Sequence, residues 1–340
     1  MKKYIFSMLA MSVLFAGCEK DNFKTDIPKN VYVAGVKITT DMYNHSDAIL
    51  WNNGKSIMLA ENGKAKSVFV SGNDTYVAGE VYGYNYSIAT VWKNGKAQNL
   101  TDDKGFALVN SIFVSGNDVY VAGFEYIENG EFKTETVRLW KNGIEQKIGE
   151  GITYGQAKSV FVSGSNVYMV GYVIRDDKQV AILWKNGEEE LLGFGMIFNS
   201  VYVSNNDVYI SGEDISQEYR VVSLWKNGEI QHLTSEDTYG YGYSVYASGN
   251  DVYVAGSERN EGAGSGYRNV AKVWKNGVAQ NLTDGTQDAF AHSVFVAGND
   301  VYVTGNQGGV AKLWINGKVY NLNERTQRHS AEVYSVFVKQ

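Results

Sequence analysis

The chain is poor in the residues that staple or kink a fold. Its 340 residues include one cysteine, Cys18, and one proline, Pro28. A single thiol excludes a disulfide within the chain and a cysteine-based zinc site. The four histidines (His45, His232, His292 and His329) show no metal-ligand spacing, so the sequence calls for no metal. No phosphate-binding loop, dinucleotide fingerprint, calcium loop or Gly-x-Ser-x-Gly elbow is present, and no cofactor is implied. Basic residues number 31 against 37 acidic ones, a net charge of −6. That balance argues against nucleic acid as a partner, because cationic contacts dominate phosphate binding. The longest apolar run, residues 4–15, is too short to span a bilayer comfortably.

That run follows Lys2 and Lys3 and precedes small Ala16 and Gly17, the layout of a secretory leader. The segment Leu14-Phe15-Ala16-Gly17-Cys18 resembles a bacterial lipobox. The resemblance implies cleavage after residue 17 and lipidation of Cys18, with a membrane connection through that anchor only. More than one acyl chain makes such an anchor stable. The charged run Glu19-Lys20-Asp21-Asn22 resembles the surface-export tags of Bacteroidota lipoproteins, which implies the outer membrane and its exposed face. Residues 18–30, with no apolar periodicity, are expected to be a lipidated tether, and residues 31–340 the folded domain.

What is abundant is glycine (37), tyrosine (24) and internal repetition. All seven tryptophans (Trp51, Trp92, Trp140, Trp184, Trp225, Trp274 and Trp314) are followed two and three positions on by Asn-Gly. Eight positions after each stands Leu59, Leu100, Ile148, Leu192, Leu233, Leu282 or Leu322. A second motif, Ser-Val-Phe-Val with variations, starts at Ser67, Ser111, Ser159, Ser200, Ser244, Ser293 and Ser335. A third, Tyr-Val-Ala-Gly, ends at Gly35, Gly79, Gly123, Gly171, Gly212, Gly256 and Gly305. Each repeat therefore holds four strands: A (Ser-Val-Phe-Val), B (Tyr-Val-Ala-Gly), C (ending at Trp) and D (carrying the aliphatic residue). Asn-Gly suits a two-residue hairpin between C and D. Strand C is apolar on both faces, so each sheet is packed on both sides. Four-stranded units at ~40–50-residue spacing, sandwiched by neighbours, predict an all-β, seven-bladed β-propeller with antiparallel blades. The first motif is a strand B at residues 31–35, and the last is a strand A at residues 335–338. These two orphans are expected to pair and close the ring.

The segment Asn-Asp-Val-Tyr-Val-Ala-Gly at residues 117–123 and 250–256 resembles the propeller repeats of many uncharacterised bacterial surface lipoproteins. The resemblance extends over residues 31–338 and implies fold without implying activity.

Spacing separates two rims. From strand-A Ser to strand-B Gly is 12 positions in each of the six uninterrupted copies, and from Trp to the strand-D aliphatic 8 in all seven. The opposite rim varies: Gly305 to Ala311 spans 6 positions and Gly256 to Ala271 spans 15. Variable loops on a rigid scaffold are where binding residues concentrate. Two candidate sets lie there. Tyr82, Tyr84, Tyr86, Tyr239, Tyr241 and Tyr243 offer aromatic faces with hydroxyls, suited to sugars or peptides. The residue before each strand-A Ser is polar and changes from blade to blade: Lys66, Asn110, Lys158, Asn199, Tyr243, His292 and Tyr334. These seven are expected to ring the channel mouth, with His329 reaching the same rim as His292. The recurring Trp, Ser and turn Asp residues read as structural. The sequence thus leads to an envelope-anchored, non-enzymatic binding module for a glycan, peptide or envelope protein. The alternatives are a glycan-active hydrolase or lyase working at the channel mouth, and a structural spacer.

Overall fold

Asn and Gly at each C–D turn set the outer hairpin. Asn94 and Gly95, with φ of 52° and 79°, are typical of all seven copies, and two consecutive positive φ values match the twist of a tight hairpin. The computed structural model describes residues 27–40, 45–129, 132–148, 154–216, 218–261 and 266–340. The leader, Cys18 and most of the tether lie outside these residues. Ile27, at the end of the expected tether, is buried in the first core cluster, so the packed body begins before residue 31.

Among the described residues, 28 strands form seven four-stranded antiparallel blades. Blade 1 is closed as the chain ends imply: strand A, His329–Val338, pairs antiparallel with strand B, Val31–Thr39, through Val31↔Val338, Tyr32↔Phe337 and Val33↔Val336. The strands A of blades 2 to 7 are Gly63–Ser71, Phe106–Ser115, Gly155–Ser163, Met196–Ser204, Gly240–Ser248 and Ala289–Ala297. Blades 2 and 3 are also joined by one parallel pair, Ser87↔Phe106.

Seven apolar clusters fill the interfaces between blades, and each holds one of the seven tryptophans. Each Trp faces the preceding blade and meets that blade's strand-D aliphatic, as Trp51 meets Leu322 of blade 7. Burying side chains of this size is worth ~1.5–3 kcal/mol each, so the interfaces supply most of the adhesion. The seven serines form a closed ring of hydrogen bonds: each Oγ accepts from the backbone N–H after the serine in the next strand A, at 3.1–3.2 Å. Two positions beyond each serine stands an aromatic ring. Phe69, Phe113, Phe161, Tyr202, Tyr246, Phe295 and Phe337 form a second closed ring, with centroids 4.5–4.9 Å apart and planes tilted 42–55°. These separations lie at the close end of the range for favourable aromatic pairs.

The fixed rim owes its constancy to a repeated polar lattice. Asn94 Oδ1 accepts from Thr75 N–H at 2.9 Å, while its Nδ2 donates to Asp74 at 2.8 Å. Lys93 then pairs with Asp74 at 2.8 Å. The same Asn-to-Asp bond recurs at Asn142–Asp118, Asn227–Asp207, Asn276–Asp251 and Asn316–Asp300. The A–B and C–D turns are tied together, and neither can lengthen alone.

Candidate functional site at the channel mouth

The glycine that ends each strand B explains how the mouth is built. A Cβ on any of Gly35, Gly79, Gly123, Gly171, Gly212, Gly256 or Gly305 would lie 1.8–2.2 Å from a strand-A carbonyl oxygen. Only glycine permits that approach. Opposite each glycine, strand A carries a β-bulge, and the residue left unpaired is in every case the one before the serine. A bulge re-aims its extra side chain. All seven of Lys66, Asn110, Lys158, Asn199, Tyr243, His292 and Tyr334 are therefore half-buried at one level of the fold, above the serine ring.

The seven do different things. Asn110 Nδ2 donates to the Ala157 carbonyl of the next blade at 2.8 Å, and Asn199 Nδ2 donates likewise to Gly242 at 3.0 Å. These two amides lock neighbouring blades. Blades 6, 7, 1 and 2 instead present a continuous arc. Tyr243 and His292 lie 4.9 Å apart, His292 and Tyr334 6.1 Å, and Lys66 Nζ sits 4.3 Å from the Tyr334 ring centre. Tyr241 extends the arc, stacked on Tyr243 at 6.1 Å and nearly parallel. Lys158 stands opposite, with its ammonium on Gln156 and near the Tyr172 ring.

Carboxylates interleave with these groups. Tyr334 donates to Glu332 at 2.8 Å, Tyr82 to Glu80 at 2.8 Å, and Tyr172 to Glu135 at 2.7 Å. Glu213 accepts from Gly242 N–H at 2.9 Å and from Asn199 at 3.0 Å, with Arg220 at 4.0 Å. Burial pushes Glu213 up to about 7 against the pull of these donors and of Arg220, and raises Glu80 despite the nearby Lys66. Burial also lowers Lys66 and Lys158, and takes His292 down to about 4, so its ring is neutral at pH 7. Tyr334, Tyr82 and Tyr243 are pushed above the usual phenol range, first by burial and then by neighbouring carboxylates. The tyrosines act as proton-bearing donors, and Glu213 can hold or release a proton near neutrality.

The remaining tyrosines divide. Tyr82 joins the mouth through Glu80. Tyr86 lies over Gly83, and Tyr84 is 97% exposed. Tyr239 belongs to a separate cluster with Tyr219 at 5.1 Å and Arg259 at 5.7 Å. His329 lies beside Thr39, 3.3 Å from its hydroxyl, rather than with His292. Among the described residues, no group of three His, Cys, Asp or Glu side chains is placed to hold a metal ion. Sequence reasoning missed Glu80, Glu213 and Glu332. A signal existed: Glu80 and Glu213 each follow the strand-B glycine, where a charge interrupts an otherwise apolar strand.

The architecture has clear structural relatives. The β-propeller domain of the trilobed protease from Pyrococcus furiosus, described as having an open velcro topology, matches at a TM-score of 0.58 and 12% identity, over 88% of this chain and 95% of that one. Acylaminoacyl peptidase from Pyrococcus horikoshii matches at 0.54 and 15% identity, over 87% of this chain and 51% of its own. A prolyl endopeptidase matches at 0.51 and 13%, over 90% and 49%. This chain thus spans about half the length of the two peptidases. No family profile and no curated protein sequence matches it. The chain is a β-propeller whose shape is shared with propellers of peptidase chains.

Proposed function

We propose that the channel mouth is a glycan site, and that the chain acts there as a hydrolase or lyase held at the cell envelope through Cys18. The observation that carries this reading is the Tyr334–Glu332 pair at 2.8 Å beneath the Lys66 ammonium. A phenol hydrogen-bonded to a carboxylate can pass a proton to or from a bound sugar, and an adjacent cation stabilises the negative charge that develops. Tyr241, Tyr243 and His292 supply faces on which a sugar ring stacks. Propellers of this shape occur within peptidase chains, a likeness of fold that carries no activity of its own.

Binding without turnover is the second reading, favoured by the flat, nearly parallel Tyr241–Tyr243 stack. One experiment separates the two. Purified protein is incubated with a panel of neutral and uronic-acid polysaccharides, and binding is followed by calorimetry. New reducing ends report hydrolysis, and ultraviolet absorbance of unsaturated ends reports elimination. Turnover that Tyr334→Phe reduces at least tenfold, with binding kept, supports the catalytic reading. Binding without new ends supports the second, and neither binding nor cleavage removes the glycan site. For the anchor, Cys18→Ala should release the protein from membranes or leave the leader uncut. Unchanged processing and membrane retention would sink the lipid anchor.

A further inference from the structure

A groove of about 670 Å³ opens on the variable rim between blades 2 and 3. Its walls include Asn85, Asp102, Lys104, Phe106, Glu125 and Tyr126. The volume falls within the ~300–1,000 Å³ usual for small-molecule sites. The segments behind its lining are tied by the one parallel pair that joins two blades among the described residues, Ser87↔Phe106, by Ser87 N–H donating to the Gly105 carbonyl at 3.1 Å, and by Ser87 Oγ donating to the Ala107 carbonyl at 2.9 Å. The groove is therefore set before any ligand arrives, which lowers the entropic cost of binding.

We propose that this groove is a second binding site, distinct from the channel mouth, and that it takes a neutral saccharide. Each charge in its walls already has a partner, Arg138 reaching Glu125 from behind the lining. Asp102 pairs with Lys104 at 3.2 Å and also accepts from the Lys104 N–H at 3.1 Å. Glu125 pairs with Arg138 at 2.7 Å. An ionic ligand gains little from such a balanced field, whereas hydroxyls can donate to the carboxylates and accept from the cations, and charge-assisted bonds of this kind are the strong ones. The apolar side of a sugar ring needs a fixed flat partner, and Tyr126 provides one. Its ring stands edge-on to Phe106 at 6.5 Å and to Phe124 at 5.6 Å, its hydroxyl donates to Glu135 at 3.1 Å, and it remains 36% exposed. An extended peptide would need an unpaired strand edge, and behind the lining the facing edges are already taken by the Ser87↔Phe106 pair.

The test uses the full chain with cellotriose, maltotriose and mannotriose as neutral probes and trigalacturonate as the charged control, measured by isothermal calorimetry. At least one neutral trisaccharide should bind, and trigalacturonate should bind this site about tenfold more weakly or not at all. Tyr126→Ala should weaken the neutral probe about tenfold, the size expected for one stacked aromatic. Asp102→Ala, a change at an exposed side chain, should weaken it several-fold. If Tyr126→Ala melts early, Asp102→Ala decides. Tyr243→Ala, in the mouth, should leave this binding unchanged, which separates failure here from failure of the mouth reading. The proposal is overturned if none of the three neutral probes binds, if binding survives Asp102→Ala and a folded Tyr126→Ala, or if trigalacturonate binds as tightly.

Discussion

The two rims of the propeller use polar residues in opposite ways. On the fixed rim, Asp, Asn and Lys satisfy one another at the surface: Asp74, Asn94 and Lys93 form a closed local set, with the Asp carboxyl held below its ordinary value first by its bond from Lys93. On the variable rim, Glu80 and Glu213 are almost fully buried, and burial outweighs the donors around them. The fold repeats this exposed Asn-to-Asp bond in five of its seven blades. Buried charges appear in only some blades and carry a stability cost, which marks the mouth as the place where the sequence serves something besides folding.

The strongest way to break the comparison is to remove the strand that both rims need in blade 1. Truncation after Ala331 deletes Val333, Val336 and Val338, all buried, together with Tyr334 of the mouth, Ser335 of the hydroxyl ring and Phe337 of the aromatic ring. At ~1.5–3 kcal/mol per buried side chain, the loss approaches the ~5–15 kcal/mol that holds a domain. The expected product is aggregated or melts far lower. A monomer with an unchanged melting temperature would refute closure by this strand.

Next in size is Glu213→Gln. The folded carboxyl titrates at about 7 against an ordinary 4.5, so the native state holds its proton more tightly. Its stabilising contribution is complete below pH 4.5 and is lost as pH rises through 7. The shift corresponds to about 3 kcal/mol. Glutamine keeps the acceptor for Gly242 N–H and Asn199 without ionising. The variant should melt several degrees above wild type at pH 8 and close to it at pH 4.5. Equal melting curves at both pH values would contradict the buried-charge reading.

Asn94→Ala sharpens the contrast from the other side. It removes the bonds to Thr75 and Asp74 and the residue that favours positive φ, and should cost about 1–2 kcal/mol. Because the fixed-rim carboxylates stay ionised, the loss should be the same at pH 5 and pH 8, and a pH-dependent loss would argue against this account. The smallest and most local effect is read in binding, with the tyrosine pair Tyr243→Ala and Tyr239→Ala. Ligand titration of the mouth should weaken about tenfold for the first and stay unchanged for the second, since Tyr239 sits with Tyr219 and Arg259. Equal losses would merge the two clusters.

Much of this was legible in the sequence. The seven tryptophans, the paired turns and the orphan strands at 31–35 and 335–338 specify blade number and closure, because each is a local pattern repeated in register. The polar residue before each serine was also legible as a ring, though not as the extra residue of a bulge. Partner choice was not legible. Asn110 and Asn199 reach carbonyls 47 and 43 residues away, and nothing local distinguishes an amide that locks a neighbour from one that faces a ligand. For the same reason Tyr84, Tyr86 and Tyr239 looked equivalent to Tyr82, Tyr241 and Tyr243, although only the latter three join the mouth.

The ring of seven aromatic side chains sets the traffic through the molecule. Phe69, Phe337 and their five counterparts stand three residues further along strand A than the mouth residues, so a ligand that enters past the polar ring next meets a closed apolar collar. A polar polymer gains no hydrogen bonds from that collar, and is expected to offer a terminus to the mouth or to lie across it as a chord. If the mouth cleaves its ligand, the released fragment leaves past the incoming chain, so short products should compete with substrate. Their inhibition constants would then measure the mouth's own affinity, apart from any contact made on the rim outside it.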